Sequence, residues 1–344
     1  MHVHRSITRR TFLVAGSAAG LVAATGRLAL AQAPAVKRGK ADRVVFGIGL
    51  SAPFTPYVAL VEKGIAAKHG IKAEYKIFES GLGGLEALNT GNAQVAFGAE
   101  LTTLRPRASG AKILGVGRPL ISPKDIGIGV SSKINGPQDF KGKKVGMIRA
   151  TAGDYLFHRF TQKHGLREGT GPDQVQVLTV QPAEWIPAVQ RGDIDGFFGW
   201  EPWLAKLPQI VKGARVYGYS SDDDLYTMWY TMAFREEWAR EDPDSAGAAY
   251  AAVGEAMDWL NANKEEAVQL ASRVFRVNAA DMKTQMEGNQ FLLDTKRVHP
   301  ARIKQVAAWA KEKGYLKVDD VDKLVDGFYY PDIAKKYAPA RTDF

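Results

Sequence analysis

The sequence predicts an α/β protein of two lobes, each a mostly parallel sheet flanked by helices, with a cleft between them. Three observations point there. Short apolar runs of strand length alternate with helical patterns, as in sheets covered by helices. One segment repeats at an offset of 101 residues. The last third of the chain changes to amphipathic helices, which need a lobe to pack against.

The strand-like runs are Val44–Leu50, Ala73–Phe78, Gln94–Gly98, Lys112–Val116, Lys144–Ile148, Gln174–Val180, Gly196–Trp200 and Ala214–Tyr219. In the repeat, Ala87, Gly91, Phe97, Gly98 and Glu100 align with Ala188, Gly192, Phe198, Gly199 and Glu201. Upstream, Lys68-His69-Gly70 and Lys163-His164-Gly165 each close a helix, where glycine suits a C-cap. Each half thus reads strand, loop, helix, His-Gly, strand, loop, helix, Gly, strand, Glu. Farther on, Ala246, Tyr250, Val253, Met257 and Leu260 share one helix face, as do Ile303, Val306, Ala307 and Ala310. Val321, Leu324 and Val325 suggest a short last helix. Ile126–Ser131 and Tyr226–Phe234 read as extended crossings between lobes. The expected organisation is therefore lobe I over 42–125 and 233–344, and lobe II over 126–232.

The chain starts with an expected export signal over 1–31. Arg9-Arg10 precedes an apolar run from Phe12 to Gly26, then Arg27 and Ala29-Leu30-Ala31-Gln32-Ala33. A basic start, apolar middle and small-residue cleavage site make a secretory signal, and the arginine pair resembles the twin-arginine type. Cleavage after Ala31 or after Ala33 satisfies the pattern. The apolar run, about 15 residues, falls short of the roughly 20 that span a bilayer. The expected location is the periplasm.

Composition narrows the classes. The 344 residues contain no cysteine, which removes disulfides, thiolate nucleophiles and cysteine-held metals. Residues 1–31 hold four arginines and no acid, so their removal lowers the net charge from +9 to +5. That charge is spread thinly, whereas a nucleic-acid surface clusters its lysines and arginines, so no nucleic-acid partner is expected. No histidine stands in H-E-x-x-H, and no G-x-S-x-G occurs. Gly47-Ile48-Gly49-Leu50-Ser51-Ala52 imitates a dinucleotide fingerprint, but Pro53 and Pro56 disturb the helix that would hold the pyrophosphate. The expectation is a non-enzyme without cofactor or metal.

Ligands of open α/β sheets bind beyond the carboxyl ends of the strands. Those ends are 51–56, 79–84, 99–103, 149–154, 181–185 and 201–203. Several open a helix, whose free N–H groups favour an anionic or acceptor group. Aromatic side chains near them would line a small-molecule site. The candidates are Phe54, Thr55, Gly81, Leu82, Gly83, Glu100, Thr151, Ala152, Gly153, Trp185, Glu201, Trp203 and Trp229. Glu100 and Glu201 are open to two readings: first-turn helix acids that need no ligand, or cleft acids that receive an amine or hydroxyl.

Trp200-Glu201-Pro202-Trp203 after Gly192-Asp193-Ile194-Asp195 resembles the second-lobe signature of the substrate-binding proteins of ABC importers for nitrate, sulfonate and taurine. Asp139-Phe140-Lys141-Gly142-Lys143-Lys144-Val145-Gly146 is similar to that family's usual start of the second lobe, with Phe for Leu. The likeness runs over roughly 44–330. It implies a type II periplasmic binding protein fold, a monomer that closes on a small polar molecule and hands it to a membrane permease. Implied contacts lie near Phe54, Gly81-Leu82, Glu100, Thr151–Gly153, Trp185, Glu201 and Trp229. Many relatives carry Asp, Ser or a small residue where Glu100 stands, which departs from simple sulfonate or nitrate binding. Similar thiamine-pyrimidine synthases carry a Cys-rich iron site, which this cysteine-free chain lacks. Alternatives on the same fold are a thiamine-pyrimidine-precursor binding or synthase-like protein and a sensory ligand-binding protein.

Overall fold

A computed structural model describes residue 39 and residues 43–344; the expected export signal lies outside them. Eleven strands form two sheets: β1 Val44–Ile48, β2 Ala73–Ile77, β3 Val95–Ala99, β4 Ile113–Ser122, β5 Ile126–Val130, β6 Lys144–Met147, β7 Gln176–Thr179, β8 Gly196–Trp200, β9 Arg215–Tyr219, β10 Met228–Arg235 and β11 Gln290–Asp294. The first sheet has the order β11-β4-β10-β3-β1-β2, the second β7-β6-β8-β5-β9.

The internal repeat is a repeat of topology. β2-β1-β3 in one sheet matches β7-β6-β8 in the other, and both trios are parallel. β3 and β8 are offset by the same 101 residues as the sequence match. Each trio is then extended by a strand arriving from the opposite lobe. β10 pairs antiparallel with β3 and β4, and β5 pairs antiparallel with β8 and β9. The sheets are therefore mixed rather than mostly parallel.

The two crossings fall earlier than the sequence pattern suggested. Ile126–Val130 is already a strand of the second sheet, and the chain is back in the first sheet from Met228. Only Pro123–Asp125 and Ser220–Thr227 lie between sheets, and they bond to each other. Ser221 N–H donates to Pro123 O at 3.3 Å, and Ser220 N–H to Ile126 O at 2.8 Å.

Local chemistry explains the helices. Those over 152–164 and 182–191 stop at Gly165 and Gly192, whose φ of 66° and 79° suit a residue without a side chain. The 20-residue helix Pro243–Ala262 starts with Asp242 accepting from Ser245 N–H at 3.2 Å. It buries Ala246, Tyr250, Val253, Met257 and Leu260, the face expected from the spacing. The helix over 321–328 is followed by another at Asp332–Tyr337, so it is not the last. Strand β11 carried no sequence signal of its own.

One apolar cluster fills lobe I and continues across the hinge, where Tyr155 packs on Trp309 and Tyr226, each 4.9 Å between ring centroids. A second cluster, built around Trp185, Phe197 and Leu207, covers the other face of the second sheet. A buried ion pair pins β11 to β4. Arg118 donates to Asp294 through Nε at 3.1 Å and Nη2 at 2.6 Å, and stacks 4.3 Å from the Trp229 ring. Removing one partner of such a pair strands a buried charge. Asp294→Ala should lower stability by about 3 kcal/mol in denaturant titration. Asp326→Ala, which breaks an exposed contact to Lys304, should change it by less than about 1 kcal/mol.

Candidate functional site

Five of the six strand-end segments converge on one cavity between the lobes, about 310 Å³ in volume. Lobe I contributes Leu50, Ser51, Phe54, Glu79–Leu82, Ala99 and Thr102; lobe II contributes Thr151, Ala152 and Trp200–Trp203 with Lys206. The crossings supply the floor: Asp125 and Ile126 from one, Met228 and Tyr230 from the strand after the other. A larger depression of about 600 Å³ on the outer helices is lined only by residues 260–291, so no second lobe faces it.

Two of the helices opening here, 81–89 and 152–164, have no side-chain cap at Ser80 or Thr151. Their first N–H groups have no intrahelical acceptor, which suits an acceptor group on a ligand. Glycine lets lobe I pack this closely. A Cβ on Gly84 would stand 2.6 Å from Gly47 O, so the helix over 81–89 rests on β1 backbone to backbone.

Aromatic rings form the walls. Phe54 stacks on Phe97 at 4.3 Å, and Tyr230 meets Phe97 edge-on at 5.4 Å. Trp200 faces the cavity with Trp185 behind it, 4.9 Å away. Trp203 carries Lys206 Nζ 5.4 Å from its ring.

Of the sequence candidates, Phe54, Gly81, Leu82, Thr151, Ala152, Glu201 and Trp203 line the cavity. The others lie off its wall. Thr55 is fully buried and donates to Ala52 O at 2.8 Å. Gly83 faces Phe78, and Gly153 packs against Phe198 O. Trp185 is fully buried, stacked on Phe197, and donates to Val180 O. Its place on the buried face of helix 182–191 keeps the whole 181–185 segment out of the cavity. Trp229 lies against Arg118 and Arg302 behind the floor.

Glu100 is also off the wall. It is fully buried, accepting from Tyr226 Oη at 2.6 Å and Trp229 N–H at 3.0 Å, and so ties the second crossing to the start of helix 100–108. Its repeat mate Glu201 accepts from Tyr219 Oη and Ala205 N–H, each at 3.0 Å. Glu201 N–H donates to Asp125 O at 3.0 Å, which ties the first crossing. Burial raises both carboxyl pKa values; the hydrogen bonds oppose the rise.

Asp125 and Lys206 carry no signal in the sequence pattern, and Trp200 and Tyr230 join the lining as aromatics near the strand ends. Asp125 is 6 % exposed and takes a 2.8 Å hydrogen bond from Tyr230 Oη. Burial pushes its pKa up to about 7; the Tyr230 bond opposes this and the Glu201 charge adds to it. Among the described residues no histidine lines the cavity: His69 meets Glu255, His158 packs near Trp309, His164 on Phe160, and His299 is buried between Thr231 and Tyr329.

A family model described as NMT1/THI5 like matches residues 51–267. The chain belongs to the NMT1/THI5-like family. A Brucella abortus relative, described no further than as a binding protein, is 27% identical over 88% of this chain and 89% of its own. The taurine-binding periplasmic protein of Escherichia coli is 23% identical over 68% of this chain and 74% of its own. The crystal structure of the periplasmic aliphatic sulphonate binding protein SsuA from E. coli superposes with a TM-score of 0.71 at 20% identity, covering 85% of this chain and 93% of that one. The desulfurization enzyme DszB shares the fold at TM-score 0.66 and 15% identity, covering 87% and 99%. The NMT1/THI5-like chain is thus an α/β protein of the periplasmic binding protein fold.

The raised Asp125 pKa has a stability consequence. The folded state holds this proton more tightly than the unfolded chain, whose carboxyl titrates near 4. This group's contribution to stability is therefore full below about pH 4 and is lost as pH rises through about 7. Asp125→Asn should be more stable than the parent at pH 8, by on the order of 4 kcal/mol, with the difference vanishing below pH 4. Thermal unfolding of both proteins across that range checks it.

Proposed function

We propose that this protein is the extracytoplasmic binding component of an ABC importer, capturing a small polar organic molecule by closure of its lobes and presenting it to a membrane permease. The observation that carries the reading is the cavity itself: both lobes, the first crossing at Asp125 and the strand that follows the second crossing wall one space, so a ligand in it bridges the parts that must move together. A ligand that contacts both lobes stabilises the closed arrangement by its differential affinity for that state. The relatives named for taurine and sulphonate support a ligand of that size and polarity.

Relatives named as binding proteins support capture rather than catalysis. No helix among the described residues is long and apolar enough to cross a membrane. The exported, periplasmic location rests on the signal pattern of residues 1–31. The protein acts as a monomer in this reading, and no nucleic acid takes part.

Trp203 is the cleanest probe of the cleft, because it lines the cavity and remains partly exposed. Trp203→Ala should weaken ligand binding roughly tenfold in calorimetry with little change in the unfolding midpoint. Glu201→Ala removes the acceptor of Tyr219 and Ala205 as well, so it should lower both affinity and stability. Small-angle scattering should show a smaller radius of gyration at saturating ligand; an unchanged radius counts against closure.

A further inference from the structure

Resting on the cleft reading above, we infer that the ligand carries a protonated nitrogen, an ammonium or amidinium group, and that Asp125 is the residue that selects it.

Two independent observations lead there. The first is an unfinished hydrogen-bond set. Asp125 is nine-tenths buried and faces the cavity from its floor. Tyr230 Oη serves its Oδ2, but no donor among the described residues reaches Oδ1. Oδ1 is not sealed off without a partner but open to the cavity, where a donor that enters can reach it. Among the described residues no arginine lines the cavity, and the lining cation, Lys206, is exposed beside Trp203. The donor is left for the ligand to bring.

The second is the balance of the lining. A plain anion such as nitrate would enter a space whose buried ionisable groups, Asp125 and Glu201, are both acids. Glu79 adds a third, exposed acid to the lining, and Asp281, on helix 279–287, lies within electrostatic reach of Glu201. The acceptor end of a ligand still has a place, at the uncapped starts of helices 81–89 and 152–164. A ligand with a cationic nitrogen at one end and an acceptor at the other satisfies both walls, and Phe54, Trp200 and Tyr230 suit a flat or apolar middle.

Matched pairs test this without knowing the natural ligand. The mature protein is titrated with taurine against ethanesulfonate, β-alanine against propionate, and 4-(aminomethyl)benzoate against 4-methylbenzoate, by calorimetry and thermal shift. At least one amine should bind roughly tenfold or more tightly than its nitrogen-free partner, since a charge-assisted hydrogen bond is at stake. Asp125→Asn should erase that preference while its own unfolding midpoint at pH 8 stays at or above the parent's. If the variant does not fold, the preference of the parent protein alone decides. Nitrogen-free members binding as tightly as the amines overturn the Asp125 assignment and leave the cleft reading standing. Binding by neither set overturns both. Amine binding undiminished in Asp125→Asn and in Trp203→Ala places the amine outside the cleft and also overturns both.

Discussion

Each lobe of this protein is completed by a strand that arrives from the other lobe. β5 extends the second sheet and β10 extends the first, and each pairs with the strand that ends at the cleft. Strands without such a neighbour would expose an edge of unpaired N–H and C=O groups. The lobes are thereby tied through two short links, bonded side by side at Pro123 and Ser221. Everything that defines the site follows from this exchange. The first link lies at the floor, the strand ends form the walls, and a change in lobe angle must bend both links.

The acids at the repeat positions show how one sequence signal serves the exchange twice. Glu100 holds the second link through its carboxylate to Tyr226 and Trp229, whereas Glu201 reaches the first through its backbone N–H to Asp125 O and spends its carboxylate on Tyr219 and Ala205. Neither needs a ligand to be satisfied. Asp125 differs, because it has one engaged oxygen and one open one, and it stands where both lobes can reach. A buried carboxylate so placed costs stability above neutral pH. That cost falls at the position best suited to sense what enters the cleft, a trade common where function and folding compete.

Much of this was legible in the residues. The 101-residue repeat, the glycine stops at Gly165 and Gly192, and the amphipathic face of 243–262 depend on local spacing and conformational preference, which sequence carries directly. The convergence of strand-end loops follows from parallel order within each trio. What local pattern could not carry was pairing between distant segments. β5 and β10 read as connections because their partners are about 70 and 130 residues away. Asp125 looked like one acid in a polar link until the pairing of β5 and β10 placed it beside Tyr230. Trp185 follows a proline helix start as Trp203 does, yet only the packing of helix 182–191 against Phe197 decides that it points inward.

The central claim is that ligand in this cleft draws the two lobes together. The chain has no cysteine, so two introduced thiols can carry spin labels without background. Exposed Glu86 and Gln209, on helices of opposite lobes that open on the cavity, are suitable positions outside its lining. Pulsed electron paramagnetic resonance of the doubly labelled protein should show a broad distance distribution that shortens and narrows to one population when a binding member of the amine panel is saturating. A distribution unchanged by bound ligand would contradict the account.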